Sequence, residues 1–273
     1  MISIHNSENE LAQKPELIQK LGIGQFIYQG KDGDTLPFCQ YMHGADKPGK
    51  FILVCYFHGA GSRGNDNFLQ VRIGAPPLAS YCERHGLKAL VIMPQCRENC
   101  KWVDVPWESE SHTLPPEPSR HMKLALALLD AKLKEFDIDR ERIYALGMSM
   151  GGYAVFDMVS RRPELFAAAA SMCGGGDTAQ APNLRDTAFY LIHGDEDAAV
   201  PVSVHGTWRK RSATRETRMS STMNSQASTT MSGTRFSRTT RGWTSFLRKN
   251  ARFGKIFFRC AVVFCENGVI VSN

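Results

Sequence analysis

The amino-acid sequence predicts an α/β fold, a mostly parallel β-sheet with helices wound on both faces. Two near-continuous apolar runs, Phe51–His58 and Leu87–Pro94, are typical of parallel strands covered on both sides. Apolar residues recur at helical spacing from Met122 to Phe136. Strands and helices therefore alternate along the chain, and this alternation favours a parallel, doubly wound sheet.

The other predicted elements extend this sheet in both directions. Gln25–Gln29 and Pro37–His43 are predicted to be short strands around a turn at Lys31–Asp34, and Ser119 is a candidate N-cap for the central helix. The remaining predictions are the strand Arg142–Gly147, the helix Gly151–Ser160, and the strands Phe166–Met172 and Ala188–His193.

Charge divides the chain at about residue 204. The full chain of 273 residues has a net charge of +6. Residues 205–273 contain 13 Lys and Arg against two Glu, which leaves 20 basic and 25 acidic residues in 1–204. We therefore expect an α/β domain over residues 1–204, followed by a basic, Ser/Thr-rich tail over residues 205–273 that is disordered or aberrant.

Composition excludes several classes of protein. No run reaches about 18 consecutive apolar residues, the length that a membrane span requires. Residues 1–20 lack the basic head and apolar run of a secretory signal, and the eight cysteines are too sparse for a disulfide scaffold. We expect a cytoplasmic protein with reduced thiols, without a membrane partner, a metal or a cofactor.

The first chemical motif is Gly147-Met148-Ser149-Met150-Gly151, which follows a predicted strand and opens a predicted helix. In this context G-x-S-x-G is typical of a nucleophile elbow, a turn so tight that only glycine fits beside the serine. The helix N-terminus supplies backbone N–H groups and a dipole that favour a developing oxyanion. Ser149 is therefore the candidate nucleophile and Met150 a candidate oxyanion donor; an ordinary glycine-rich turn is the alternative.

A second motif, His58-Gly59-Ala60-Gly61, ends the first buried strand. Enzymes with a nucleophile elbow place a backbone N–H donor for the oxyanion at this point of the sheet. We therefore expect the Gly59–Ala60 turn to donate the second hydrogen bond of an oxyanion hole. We expect His58 to be a structural residue of this loop, and a plain glycine turn is the alternative.

A third motif, His193-Gly194-Asp195-Glu196-Asp197, follows the last predicted strand. An acid just past a strand end, downstream of the serine, lies where a Ser–Asp–His triad needs its carboxylate. Asp197 is the candidate acid, with Asp195 as its rival, and a solvated acidic loop is the alternative.

At these motifs the sequence resembles the α/β-hydrolase superfamily, in particular its phospholipase/carboxylesterase, feruloyl-esterase and prolyl-oligopeptidase-like group. The resembling stretches span most of residues 50–204: YFHGAGSRGNDN (56–67), VIMPQC (91–96), DRERIYALGMSMGGYAVFDM (139–158), FAAAASMCGGGD (166–177) and IHGDEDAAVPVS (192–203). The resemblance implies an α/β-hydrolase fold, Ser149 as nucleophile, Asp197 as triad acid, and an oxyanion hole formed by Gly59, Ala60 and Met150.

The sequence departs from this group after Pro201. The family pattern continues with a helix, a strand and a G-V-x-H-x-x-W loop that carries the catalytic histidine, but residues 206–273 contain no histidine. His205 follows Asp197 too closely to lie on such a loop. We therefore expect the fold to lack its last strand and C-terminal helix, and the chain to be crippled or inactive.

Two explanations for the tail stay open: a natural, divergent basic segment, or out-of-frame coding. When the last base of each codon is joined to the first two of the next, residues 223–233 can encode Glu-Leu-Pro-Gly-Val-Asn-His-Asn-Val-Trp. The His codon then spans Thr229 and Thr230. This string resembles the missing histidine loop, and together with the charge break at residue 204 it favours the frameshift.

The predicted activity is hydrolysis of small-molecule or carbohydrate-linked carboxylic esters through an acyl-enzyme on Ser149. Trp102 and Trp107 are candidate substrate-binding residues, although both fit a hydrophobic cluster equally well. One alternative is a prolyl-oligopeptidase-like peptidase, for which the chain is too short to hold a gating domain. The other is a non-catalytic protein whose basic tail binds nucleic acid, but no aromatic-interleaved basic motif supports specific recognition.

Overall fold

A seven-stranded β-sheet organises the part of the chain that the computed structural model describes, residues 14–107, 109, 112–184 and 186–192. In chain order the strands are β1 (Gly24–Gln29), β2 (Thr35–His43), β3 (Phe51–Phe57), β4 (Ala89–Pro94), β5 (Ile138–Met148), β6 (Ala168–Met172) and β7 (Ala188–Ile192). The helices are α1 (Lys14–Leu21), α2 (Val71–Arg84), α3 (Arg120–Glu135) and α4 (Met150–Arg161).

The strands lie in the order β1-β2-β4-β3-β5-β6-β7. Strands β4, β3, β5, β6 and β7 are parallel to one another, whereas β2 pairs antiparallel with β1 and β4. Every residue of β3 and β4 is buried, as their unbroken apolar runs predict. The predicted mostly parallel sheet is therefore confirmed.

Helices cover the sheet on both sides and divide the core into two clusters. Residues of α3 and α4 pack on one face, together with inward side chains of β2 to β6 such as Leu53 and Ile143. Residues of α1 and α2 pack on the other face against the alternate side chains, such as Val54 and Tyr144. The predicted doubly wound arrangement is therefore also confirmed.

The structure differs from the sequence prediction mainly between β3 and β4. The pattern predicts no helix there, but α2 occupies this place with Pro76 and Pro77 inside it. These prolines, with Gly74, weaken the helical signal because proline and glycine are poor residues for a helix interior. Gly74 is required by packing, because a Cβ added there would lie 2.4 Å from the ring of Tyr56.

Two predictions concern residues beyond the described part of the chain. The expected loss of the last strand and C-terminal helix falls there, as does the basic tail over residues 205–273. Among the described residues, no helix combines the length and the apolar character that crossing a membrane requires.

Candidate active site

Ser149 lies at the junction of β5 and α4, with a backbone that few residues other than glycine adopt. Its φ is 53° and its ψ is −121°, while its side chain is half-buried. Its N–H donates to Met172 O on β6 at 2.7 Å, and its carbonyl accepts from Gly152 N–H at 2.7 Å. The backbone therefore leaves the strand, turns at Ser149 and enters the helix within one residue, as the elbow motif predicts.

Steric contacts explain why the elbow, residues Gly147–Gly151, needs a glycine at each end. A Cβ added at Gly147 would lie 2.0 Å from Gly151 O, and a Cβ added at Gly151 would lie 2.1 Å from Phe57 O. Both clashes are with backbone atoms, which cannot swing away as a flexible side chain can. The two glycines therefore let β5, α4 and the end of β3 approach one another closely enough to expose a turn at Ser149.

The second predicted motif lies directly against this elbow. We call residues His58–Arg63 the glycine turn; it follows β3 and contains one turn of 3-10 helix, Ala60–Ser62. A Cβ added at Gly59 would lie 3.5 Å from Ser149 Cβ and 3.3 Å from Met148 O. The structure thus brings the two motifs together at the carboxyl ends of the parallel strands β3 and β5.

Two backbone donors remain available beside Ser149. Met150 N–H is in the first turn of α4, where N–H groups have no partner within the helix. In the described part of the chain, neither Met150 N–H nor Ala60 N–H has an acceptor. Both N–H groups belong to the segments that approach each other at Ser149, and their role as oxyanion donors stays a prediction.

His58 supports the glycine turn from inside the protein. It is 1% exposed, its Nδ1–H donates to Gly59 O at 2.7 Å, and its Nε2 accepts from Cys96 N–H at 2.9 Å. Burial lowers the pKa of His58 to about 4. Because both ring nitrogens are engaged, His58 has the environment of a structural residue, as the sequence analysis expected, and has no free nitrogen to act as a base.

Trp102 lies behind His58 in the core. The indole is fully buried, its Nε1–H donates to His58 O at 3.3 Å, and its ring meets the rings of Phe57 and His58 edge to face. This is the hydrophobic-cluster environment that the sequence analysis gave as the alternative to substrate binding. Trp102 therefore supports the glycine turn from the side away from solvent.

A buried amide fixes the chain that follows the glycine turn. The Gln95 side chain is fully buried, and its Nε2 donates to Ser62 O and to Asp66 Oδ1 at 3.3 and 2.8 Å. Its Oε1 accepts from Asn67 N–H at 2.7 Å. The SRGNDN stretch is thus tied to the end of β4. The sequence analysis did not foresee this, because the VIMPQC stretch that contains Gln95 does not reveal the partners of its side chain.

Trp107 lies beside α4, one turn below the elbow. Its carbonyl accepts from Tyr153 Oη at 3.1 Å, and Lys101 Nζ lies 4.7 Å from the centre of its half-buried ring. His112 follows in the same loop, with its ring 5.5 Å from that of Tyr153. Burial lowers the pKa of His112, while Asp177 acts in the opposite direction.

Asp197, the predicted triad acid, lies outside the described residues, together with its rival Asp195 and all residues from 193 to 273. The described part therefore brings together the candidate nucleophile, Ser149, and the candidate oxyanion donors Gly59, Ala60 and Met150. The acid and the base of the triad stay predictions.

A sequence profile of the phospholipase/carboxylesterase family matches residues 43–238. The chain belongs to the phospholipase/carboxylesterase family. By ancestry it is therefore a hydrolase with the α/β-hydrolase fold, and the resemblance inferred from its motifs is confirmed. The matched segment continues past residue 204, so the domain boundary at that point remains a prediction.

Solved structures agree with this membership. A thermostable esterase has a TM-score of 0.72 and 27% sequence identity, and the match covers 88% of this chain but 64% of that one. The chain thus spans less than two thirds of that esterase. Two other solved structures share the fold: a ferulic acid esterase with a TM-score of 0.56, and the Staphylococcus aureus fluorophosphonate-binding serine hydrolase FphF with a TM-score of 0.53. Each is 14% identical to this chain, and each match covers 86% of this chain and 98% of the other. No curated protein sequence matches the chain.

Proposed function

We propose that the chain is built as a serine hydrolase of carboxylic esters, with Ser149 as its nucleophile. The observation that carries this proposal is the close approach of the elbow and the glycine turn: a Cβ added at Gly59 would lie 3.5 Å from Ser149 Cβ. This close approach supports the proposal that the half-buried Ser149 hydroxyl lies beside backbone N–H donors of the two segments. Acyl transfer needs this pairing of nucleophile and oxyanion donors.

The proposed reaction proceeds in two steps. Ser149 Oγ loses its proton to a base and attacks the ester carbonyl carbon, while the N–H groups of Met150 and of the Gly59–Ala60 turn stabilise the resulting oxyanion. The alcohol leaves with a proton, and an acyl-enzyme forms on Ser149. Water then attacks the acyl-enzyme, releases the carboxylic acid and returns the proton to Ser149. Asp197 is proposed to orient the base.

The base is the part that the sequence does not supply in a recognisable form. His58 has both nitrogens engaged, and residues 206–273 contain no histidine. We therefore propose that the chain as printed hydrolyses esters poorly, because loss of one triad member removes several orders of magnitude in rate. A frameshift after residue 204 is the proposed cause.

The proposed substrates are small-molecule or carbohydrate-linked esters. The structural neighbours include an enzyme described as a ferulic acid esterase and one described as an acetyl xylan esterase, which supports this range. The proposed compartment is the cytoplasm, which agrees with the six cysteines of the described chain, none of which is in a disulfide.

The experiment compares folded chain with its Ser149→Ala variant, using p-nitrophenyl acetate with and without added imidazole. Without imidazole we expect equal rates, because the sequence supplies no recognisable base for the Ser149 proton. With imidazole as an external base, we expect the unsubstituted chain to exceed the variant after the uncatalysed rate is subtracted. Equal rates in both conditions, with both proteins folded, would overturn the assignment of Ser149.

A further inference from the structure

Arg63, the last residue of the glycine turn, holds a half-buried positive charge close to the site. Its backbone N–H and its Nε both donate to Ala60 O, at 3.2 and 3.0 Å. Its Nη1 donates to Cys100 O at 3.4 Å. The guanidinium therefore lies within hydrogen-bond distance of the turn that contacts Ser149.

The partners of Arg63 within the described residues are carbonyl oxygens only, with no carboxylate among them. The half-buried Arg161, in contrast, is held by the buried Asp157 carboxylate at 2.8 Å. The nearest acid in the Arg63 loop, Asp66, accepts through Oδ1 from Phe68 N–H, Leu69 N–H and Gln95 Nε2. Within the described residues, the Arg63 guanidinium therefore has no carboxylate in hydrogen-bond contact.

Arg63 also has unused donors. A guanidinium carries five N–H groups in a fixed planar fork, and the structure accounts for two of them. A fork of this geometry matches the two oxygens of a carboxylate. One cation suits a singly charged group better than a doubly charged phosphate, so a carboxylate is the ligand that the chemistry favours.

We propose that Arg63 binds a carboxylate carried by the ester substrate, so that the site prefers half-esters of dicarboxylic acids to neutral esters of the same size. This proposal rests on the proposed esterase site, because it takes the glycine turn as one wall of that site. The substrate carboxylate supplies the direct carboxylate partner that Arg63 does not have among the described residues. The preference weakens as salt rises, because screening weakens the attraction between partly exposed charges.

A binding experiment tests this proposal without requiring turnover. Monomethyl succinate and methyl butyrate, which differ mainly in the carboxylate, are titrated calorimetrically into the Ser149→Ala protein. We expect the anionic ester to bind about tenfold more tightly, the size of a charge-assisted hydrogen bond. Adding Arg63→Gln should abolish the difference, Arg63→Lys should retain part of it, and the control Arg97→Gln should retain all of it.

Equal affinities in the Arg63-containing protein, or absence of binding by either ester, would overturn the proposal. A loss of affinity for both esters in Arg63→Gln would assign Arg63 a purely structural role and would overturn it too. Melting temperatures of the variants exclude unfolding as the cause. Because the experiment lacks Ser149 and needs no base, its failure is distinct from failure of the hydrolase proposal, which the Ser149-dependent rate tests.

Discussion

The elbow at Ser149 and the glycine turn at His58–Arg63 touch each other, yet different forces hold them. The elbow is shaped by backbone packing, since a Cβ at Gly147 or Gly151 would lie about 2 Å from a backbone atom. The glycine turn is shaped by buried hydrogen bonds to residues distant in sequence: His58 accepts from Cys96 N–H, and the side chains of Trp102 and Gln95 donate to His58 O and Ser62 O. The elbow should therefore be sensitive to substitutions that add side-chain volume. The glycine turn should be sensitive to the loss or protonation of the side chains that form its hydrogen bonds.

The largest effect should come from adding one methyl group to the elbow. In Gly151→Ala the new Cβ meets the backbone of β3 at Phe57 O, so strand or helix must shift. We expect the free energy of unfolding to fall by about 3 kcal/mol, the upper end for overpacking, in urea unfolding. The matched control is Gly24→Ala, whose new Cβ has the exposed ring of Phe26 as its nearest neighbour, and this ring can rotate away. Equal effects of the two substitutions would contradict the steric account.

A drop in pH should weaken the glycine turn and spare the elbow. Burial lowers the pKa of His58 from its usual value of about 6.5 to about 4 in the folded chain, so the unfolded chain takes up the proton first. Neutral His58 therefore makes its full contribution to the free energy of unfolding above about pH 6.5. This contribution is lost as the pH falls towards 4, because protonation then favours the unfolded chain. Between pH 7.5 and 5 we expect His58 to account for about 2 kcal/mol of lost unfolding free energy.

The control for this pH effect is the His58→Gln variant, measured over the same pH range. His112 and His121 also have lowered pKa values, because of burial, and they remain in the variant. The variant should therefore lose less stability than the unsubstituted chain on acidification. Parallel pH profiles would show that His58 is not the buried neutral group described above.

The smallest predicted effect concerns strain at the nucleophile. Ser149 has a φ of 53° and a ψ of −121°, which glycine adopts at little cost. Ser149→Gly should therefore raise the free energy of unfolding by about 1 kcal/mol, whereas Ser149→Ala should not. Chemical denaturation of the three proteins measures this difference, and a Gly variant no more stable than the Ala variant would show that the elbow stores no strain.

The sequence predicted the elbow and the central strands well, because both depend on adjacent residues. The strand β4 was predicted within two residues, and the elbow is a continuous five-residue motif. The sequence pattern does not predict helix α2, because the helix contains Gly74, Pro76 and Pro77, which are poor helix formers. Packing against the ring of Tyr56 requires the glycine. Strand β5 begins at Ile138, four residues before the predicted start, because residues 139–142 are polar and lack an apolar pattern.

The supports of the glycine turn could not be predicted in the same way. The partners of His58 at Cys96 and Trp102 are 38 and 44 residues further along the chain. No local pattern links them, because the contacts arise only when β3 and β4 lie side by side. The motif therefore predicted a candidate oxyanion turn, and only the fold revealed what holds it.

The most direct test of the account is ester hydrolysis by two versions of the chain. One is the chain as printed, and the other has its coding DNA read in the shifted frame after codon 204. The account predicts a His codon across Thr229 and Thr230, and a Ser149-dependent gain of about a thousandfold or more with p-nitrophenyl acetate. Another codon at that position, no gain in the shifted version, or strong Ser149-dependent hydrolysis by the printed chain would contradict it.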